Sequence, residues 1–369
     1  MYKFILGCFF LILLGMVVSC DHKAQESVSG FSISKFIFEV DLPPSVSPNL
    51  SLPFIWFEEE DEFLAAYSYT DHSIVIINLS QRAFVNKVRL ITEGPDFVQS
   101  VRAISIWDKN TLLIGGNDYI TLITLEGKVI RRLLINNTDS DFTGFDFTVG
   151  RLSVNKYSGL QYSPSDKSIL MEVYYFTKQS DAEVNPLMVS LNLETLHIEQ
   201  NSVPVKLFRT AGNYGELRGV NFWRNNDVLT INYKSSSQVL IKNSMGESIF
   251  SMKSNNTPND AGPIEVMSGS SNVSIFEHQV RSANFYPVIT DNYRNLFYRI
   301  VKGENINFED DEDFYLSVAS KDFVEYMEIP FPKGYYIFGI PSKEGLMFIA
   351  YNKHDDKLEL VNYRFELEK

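Results

Sequence analysis

Residues 346–369, LMFIAYNKHDDKLELVNYRFELEK, read as an apolar strand, a polar turn and a second apolar strand, after which the chain stops. The same unit occurs five more times. Its leading strands are Phe63–Ser68, Thr111–Gly115, Ser168–Tyr175, Val228–Tyr233 and Leu296–Val301, and successive starts lie about 48 to 68 residues apart. A second strand follows each, as in Ser73–Asn78, Tyr119–Thr124, Leu187–Asn192, Gln238–Asn243 and Phe314–Ala319. A third follows in five units, for example Ala83–Leu90 and Lys128–Ile135. A short strand precedes each unit, as in Ala103–Trp107, Gly219–Trp223 and Tyr335–Gly339. Four short antiparallel strands per period is the pattern of a propeller blade. The sequence therefore predicts an all-β fold, a six-bladed β-propeller over residues 31–369.

The last unit stops one strand short. ISKFIFEV, residues 33–40, is a strand with no unit of its own. It is expected to supply the outer strand of the sixth blade and close the ring, since an open ring exposes sheet edges and one apolar face. Seven or eight blades is the rival count, because the third to fifth units are long. Their extra residues are loop-like: residues 254–281 are rich in Asn, Ser, Gly and Pro, and read as an extended inter-blade loop with room for one short strand.

Ahead of the ring, Lys3 and the apolar run Phe4–Val18 form a secretory leader too short for a comfortable bilayer span. The run ends in Val17-Val18-Ser19-Cys20, followed by the polar stretch DHKAQESVSG. Residues 1–19 are expected to be a lipoprotein signal peptide and residues 20–30 a lipidated tether. The Val-Val-Ser-Cys boundary resembles the bacterial lipobox, which implies cleavage before Cys20 and acylation of that residue. Acylation would fix the protein to a membrane from outside the cytoplasm. Cys8 and Cys20 are the only cysteines, so the mature domain would have no disulfide despite an oxidising address.

The formal charge is −13, and loss of Lys3 with the leader makes it −14. Such a body repels a phosphate backbone, so no nucleic-acid partner is expected. Phe and Tyr number 28 and 19, which suits sheets with wide packed faces. On blade periodicity and lipobox together, the chain resembles TolB-like six-bladed β-propeller lipoproteins of uncharacterised function, of the Bacteroidota type. The resemblance covers residues 31–369 as architecture, and implies an outer-membrane or cell-surface protein. Asp21 and Glu26 resemble the surface-export signal of such lipoproteins, but Lys23 interrupts the acidic run. Periplasmic-facing and surface-exposed placements both stay open.

No motif points to a cofactor. The five histidines, His22, His72, His197, His278 and His354, show no metal-ligand spacing. The acidic runs Glu58–Glu62 and Glu309–Asp313 lack the alternation of a calcium loop and read as solvated turns that keep blade edges apart. A recurring base is more informative. Arg102, Lys156, Arg218, Arg281 and Lys333 each stand at the entrance of a proposed innermost strand. Equivalent blade positions ring one mouth of the channel, so these five, with Tyr214 as a stacking surface, form the candidate ligand site. The plainer reading has each base bound to a neighbouring blade. The expected role is a non-enzymatic binding module for an envelope protein, peptide or glycan, particularly an anionic one. A glycan-active hydrolase or lyase, or a structural subunit of a nutrient-uptake complex, are the alternatives. Replacing Cys20 with Ala is predicted to leave the protein unprocessed or release it from the membrane fraction, read by fractionation and intact mass.

Overall fold

The computed structural model describes all residues except 1–24, 29, 136–141, 149, 176–187, 202–213, 226, 257–258, 263, 265–271, 306–311, 334 and 369. The leader, the acylation position Cys20 and residues 309–311 of the second acidic run lie outside the described residues. Apolar runs pair first with their nearest neighbours in sequence. Ser73–Asn78 is buried at all six positions because it lies mid-sheet with another sheet on each side. The outer strand Gly246–Ser251 is almost wholly exposed.

Six antiparallel sheets result. Blade 1 is Leu50–Glu58, Asp61–Ser68, Ser73–Asn78 and Ala83–Arg89. Blade 2 is Ala103–Asp108, Thr111–Gly115, Tyr119–Thr124 and Val129–Leu134. Blade 4 runs from Val220–Asn225 to Gly246–Ser251, and blade 5 from Asn284–Asp291 to Tyr326–Pro330. In each of these four the first strand is innermost and the sheet is built outward in chain order.

Blades 3 and 6 depart from the regular pattern. The inner strand of blade 3 is split into Gly150–Ser153 and Tyr162–Ser163, which pair with opposite halves of Ser168–Tyr175. Residues 154–161 loop out between them. In blade 6 the expected inner strand Tyr335–Gly339 is reduced to a bridge from Tyr335 to Ala350, and regular pairing is confined to Ile340–Pro341. Gly339 shows why the chain is pinned there: a Cβ on it would sit 2.7 Å from the Phe348 ring. Among the described residues of 254–281 the regular element is not a strand but a helix, Asn272–Arg281, and the others form a loop as expected.

The ring closes as the sequence predicts. Phe31–Val40 pairs antiparallel with Lys357–Leu367 over ten register positions, from Phe31 opposite Leu367 to Val40 opposite Leu358. Strand alternation then sends its side chains both ways. Phe31 and Ile33 join a core with blade 5 residues such as Tyr298 and Ile300. Phe38 and Val40 join Leu64, Val75 and Ile77 of blade 1. One addition was not foreseen: Gln25–Val28, in the stretch read as tether, pairs outside the closing strand as a fifth strand.

Inner strands bring unpaired backbone edges toward the axis, and those groups need partners. Side chains of the blade 3 loop supply them for Val220–Asn225. Asn155 Nδ2 donates to Val220 O at 2.9 Å, Ser158 Oγ accepts from Phe222 N at 3.0 Å, and Gln161 Oε1 accepts from Arg224 N at 2.7 Å. Three polar residues spaced by three thus match alternate residues of an extended strand. Blade 4 repeats the device toward blade 5, with Asn221 donating to Phe285 O and Asn225 to Thr290 O. Farther out, the fully buried Arg299 of blade 5 donates to Ser236 O and Ser237 O of blade 4, each at 2.8 Å, and its guanidinium lies over Phe285. Burial lowers its pKa, while the carbonyl oxygens favour the charged form.

A chain of polar contacts crosses the closure joint. Arg294 of blade 5 pairs with the buried Asp291 at 2.7 Å and donates to Ser342 O and Lys343 O of blade 6. Lys343 N in turn donates to the Glu62 carboxylate of blade 1 at 3.1 Å. Glu62 is only 4 % exposed, and burial pushes its carboxyl up to about 7.

Two predictions follow from this joint. Deleting residues 31–41 should lower the melting temperature by many degrees, because it unpairs Lys357–Leu367 and uncovers core on both sides; an unchanged melting temperature would place the closure elsewhere. The second concerns Glu62. The native state holds a proton on Glu62 that the unfolded chain releases near pH 4.5, so stability is lost as pH rises through 7. Glu62→Gln, which stays neutral and can still accept from Lys343 N, should match the parent near pH 4.5 and exceed it at pH 8 by up to about 3 kcal/mol. A pH-independent difference in melting temperature would refute this.

Candidate functional site

Innermost strands are short and their side chains alternate, so residues facing the axis from six blades enclose one space. That space is a cavity of about 500 Å³, within the size range of small-molecule sites. Blade 1 contributes Leu52–Ile55 and Phe57, blade 2 Arg102–Ile106, and blade 4 Trp223–Asn225. Asn292 and Tyr293 reach in from the first turn of blade 5, and Phe338, Ile340 and Pro341 from blade 6. The split inner strand of blade 3 puts Lys156 and Ser158–Tyr162 into the wall. Two further cavities, of about 210 Å³ and 430 Å³, adjoin the ends at which the inner strands begin.

Arg102 and Lys156 line all three cavities, so they stand where the channel opens onto its neighbours. Arg102 precedes the inner strand of blade 2. Its N donates to Gly115 O at 2.8 Å, and its Nε donates to Asn117 Oδ1. Lys156 is exposed, with Nζ 4.6 Å from the centre of the Tyr157 ring. Arg224 adds a third cation from the far end of the blade 4 strand; its nearest carboxylate is that of Asp166, at 3.9 Å. Burial lowers the Arg224 pKa. Among the described residues of the cavity wall there is no Asp or Glu.

The remaining sequence candidates lie elsewhere. Arg218 ends a 3-10 helix, Gly215–Arg218, just ahead of the inner strand Val220–Asn225, and Arg281 ends the helix Asn272–Arg281 just ahead of Asn284–Asp291. Lys333 is exposed in the turn after Tyr326–Pro330. None of the three lines the cavities described above. Tyr214 is 2 % exposed and packs with Leu217 and Ala261, so it has no free face on which a ligand could stack. Of the five bases, only Arg102 and Lys156 line these cavities, and both line all three.

Three wall residues were missed at the sequence level: Tyr162, Trp223 and Arg224. Tyr162 OH and Trp223 Nε1 are buried donors with no hydrogen-bond partner among the described residues. The Tyr162 ring stacks on Trp107 at 5.0 Å, and burial, with Glu194, Asp108 and Asp166 nearby, pushes its phenol up to about 12. Trp223 packs against Phe338 at 5.7 Å. A signal was present: the three tryptophans, Trp56, Trp107 and Trp223, all fall late in inner strands. No three His, Cys, Asp or Glu side chains among the described residues are grouped to hold a metal ion. No described helix is long and apolar enough to cross a membrane.

Comparison with known proteins places this architecture. A solved structure from Bacteroides vulgatus, a member of the DUF4221 family, superposes with a TM-score of 0.72 at 17% identity, covering 93% of this chain and 100% of that one. A protein from Bacteroides fragilis described as exported superposes with a TM-score of 0.57 at 11% identity, covering 91% of this chain and 96% of that one. No curated protein matches the chain. The family profile described as a domain of unknown function, DUF4221, matches residues 31–328, and the chain belongs to that family.

Proposed function

We propose that this protein is a non-enzymatic binding propeller of the cell envelope, and that its ligand enters the central channel carrying negative charge. The observation that carries this reading is the inversion of charge at the axis. A chain of net charge −13 lines its channel with Arg102, Lys156 and Arg224, of which Arg224 pairs with Asp166, and among the described residues of that wall there is no Asp or Glu, although Glu172 stands in the adjoining smaller cavity. Cations lining a concave, partly apolar site focus their field into it and attract an entering anion. Arginine favours a carboxylate or phosphate because its planar fork can engage two oxygens. The rigid ring holds these groups in place while the connecting loops vary.

The address is part of the same proposal. A lipid on Cys20 and the short stretch after it would hold the ring outside the cytoplasm, at the outer membrane or cell surface. The export ascribed to the Bacteroides fragilis protein supports this placement. The partners considered above, an anionic glycan, a peptide or an envelope protein, differ in how far they must enter the channel.

Thermal shift with a panel of organic carboxylates, sulfates and phosphates, each with a neutral and a cationic counterpart, tests the charge requirement. Anions are expected to raise the melting temperature of the parent, and to lose that effect on Arg102→Met/Lys156→Met. Both substituted side chains are exposed, so the variant itself should melt within a degree or two of the parent. Equal stabilisation by the neutral or cationic counterparts, or a full response from the variant, would overturn the reading.

A further inference from the structure

We infer that the anionic group of the ligand is a phosphate monoester, and that it is held not in the main channel but in the cavity of about 210 Å³ beside it. The inference rests on the anion-binding reading above and narrows it. The two cavities differ in kind. The channel wall is mostly apolar, whereas Val154 and Leu217 are the only aliphatic side chains among the described residues around the smaller cavity. Arg102 and Lys156 belong to both walls, so they mark the passage between the two.

A third cation is built into the smaller cavity. Lys234 follows the second strand of blade 4, Val228–Tyr233, and lines the cavity with them. Its backbone is fixed on both sides: Lys234 N donates to Gly219 O at 3.0 Å, and Lys234 O accepts from Phe285 N at 2.9 Å. Its side chain is only 12 % exposed, and Nζ lies 3.9 Å from the buried carboxylate of Glu172. Gly219 leaves room for that pair, since a Cβ on it would sit 2.6 Å from Lys234 Nζ and 2.5 Å from Glu172 Oε1. Glu172 is also held by other donors: Val220 N at 3.2 Å, Asn155 Nδ2 at 3.4 Å and Tyr174 OH at 3.3 Å. Its charge is therefore met by groups of blades 3 and 4 themselves.

Charge and shape then select the head group. Among the described lining residues, Arg102, Lys156 and Lys234 stand against one carboxylate, Glu172, which leaves an excess of two positive charges. A phosphate monoester carries about two negative charges at neutral pH. A carboxylate or a sulfate ester carries a single one. The cations also come from three blades: Arg102 from blade 2, Lys156 from blade 3 and Lys234 from blade 4. A phosphate monoester has terminal oxygens pointing in three directions and can meet all of them, whereas the two oxygens of a carboxylate share one plane. The Arg102 fork suits a pair of those oxygens, and the lysines act as point charges on the rest. The ester oxygen then points through the Arg102–Lys156 passage, which places the body of the ligand in the channel.

The test uses phenyl phosphate, phenyl sulfate, benzoate and the neutral benzamide, which share one ring, together with inorganic phosphate. Titration calorimetry near neutral pH reads each affinity. Phenyl phosphate is expected to bind at least tenfold tighter than phenyl sulfate, benzoate and benzamide, and tighter than inorganic phosphate, which has no body for the channel. Two substitutions of opposite sign locate the head group. Glu172→Gln removes the opposing charge and should tighten phenyl phosphate at least threefold; Lys234→Met should weaken it at least tenfold. Because Lys234→Met leaves Glu172 buried without its cation, Glu172→Gln/Lys234→Met is compared with Glu172→Gln, where the same tenfold loss is expected and no buried charge is left unpaired. Phenyl sulfate or benzoate binding as tightly as phenyl phosphate, unchanged affinity on removing Lys234 in either background, or no gain in Glu172→Gln would overturn this inference while leaving an anion-binding channel intact. Inorganic phosphate binding at least as tightly as phenyl phosphate would overturn the assignment to an ester. Failure of phenyl phosphate to bind, while other anions still stabilise the parent in thermal shift, would overturn the phosphate assignment alone. Benzamide binding as tightly as phenyl phosphate would overturn both readings.

Discussion

Closure of the ring depends on the pairing of Phe31–Val40 with Lys357–Leu367. A propeller blade has two apolar faces and covers each with a neighbour. The arrangement leaves no exposed apolar face only when the last blade meets the first. Here a strand from one end of the chain completes the sheet built by the other. Its odd positions, Phe31 and Ile33, face blade 5, and its even positions, Phe38 and Val40, face blade 1. One strand therefore supports two inter-blade cores, and the run from Arg294 through Lys343 to Glu62 reinforces the joint with polar contacts. These contacts are long-range in sequence, so the ring forms only when distant parts of the chain meet.

Closure creates a second requirement at the axis. Six inner strands converge with edges that no further strand can pair. In blade 3 the chain meets this by abandoning the strand. Residues 154–161 loop out, and Asn155, Ser158 and Gln161 bond the backbone of Val220–Asn225 in place of a ladder. The same loop widens the channel and holds Lys156 at its opening. Structural satisfaction of one blade edge and presentation of a candidate ligand group are thus two results of one interruption. This also explains why so many polar side chains lining the channel are unavailable to a ligand.

The electrostatic character of the channel runs against that of the whole. Exposed acidic residues Glu58, Glu59 and Glu60 lie on the turn between the two inner strands of blade 1, next to the wall residue Phe57. Arg102, Lys156 and Arg224 line the axis. The net negative charge of the body repels an anion at long range, and Arg102 and Lys156 attract it only once it is near the opening. Salt would weaken the long-range repulsion more than the short-range attraction, because the Debye length is about 8 Å at physiological ionic strength.

Much of the architecture was legible because it depends on periodicity. Apolar runs such as Ser73–Asn78, recurring in six units, determine the blade count, and the unmatched strand near Ile33 identifies the closure. Two of the site residues, Arg102 and Lys156, were visible as repeated positions. Arg218 and Arg281 occupy the same sequence register, but a 3-10 turn and an α-helix carry them off the inner strands. Tyr214 shows the same limit, since its burial depends on Ala261, which is far from it in the chain, as well as on the nearby Leu217. Tyr162, Trp223 and Arg224 became wall residues only through the splitting of one strand and the juxtaposition of blades 3 and 4. Repeat pattern, set by local strand chemistry, determines which blade a residue belongs to. Which side chain lines the axis is decided by how neighbouring blades satisfy each other's edges, and that exists only in the closed ring.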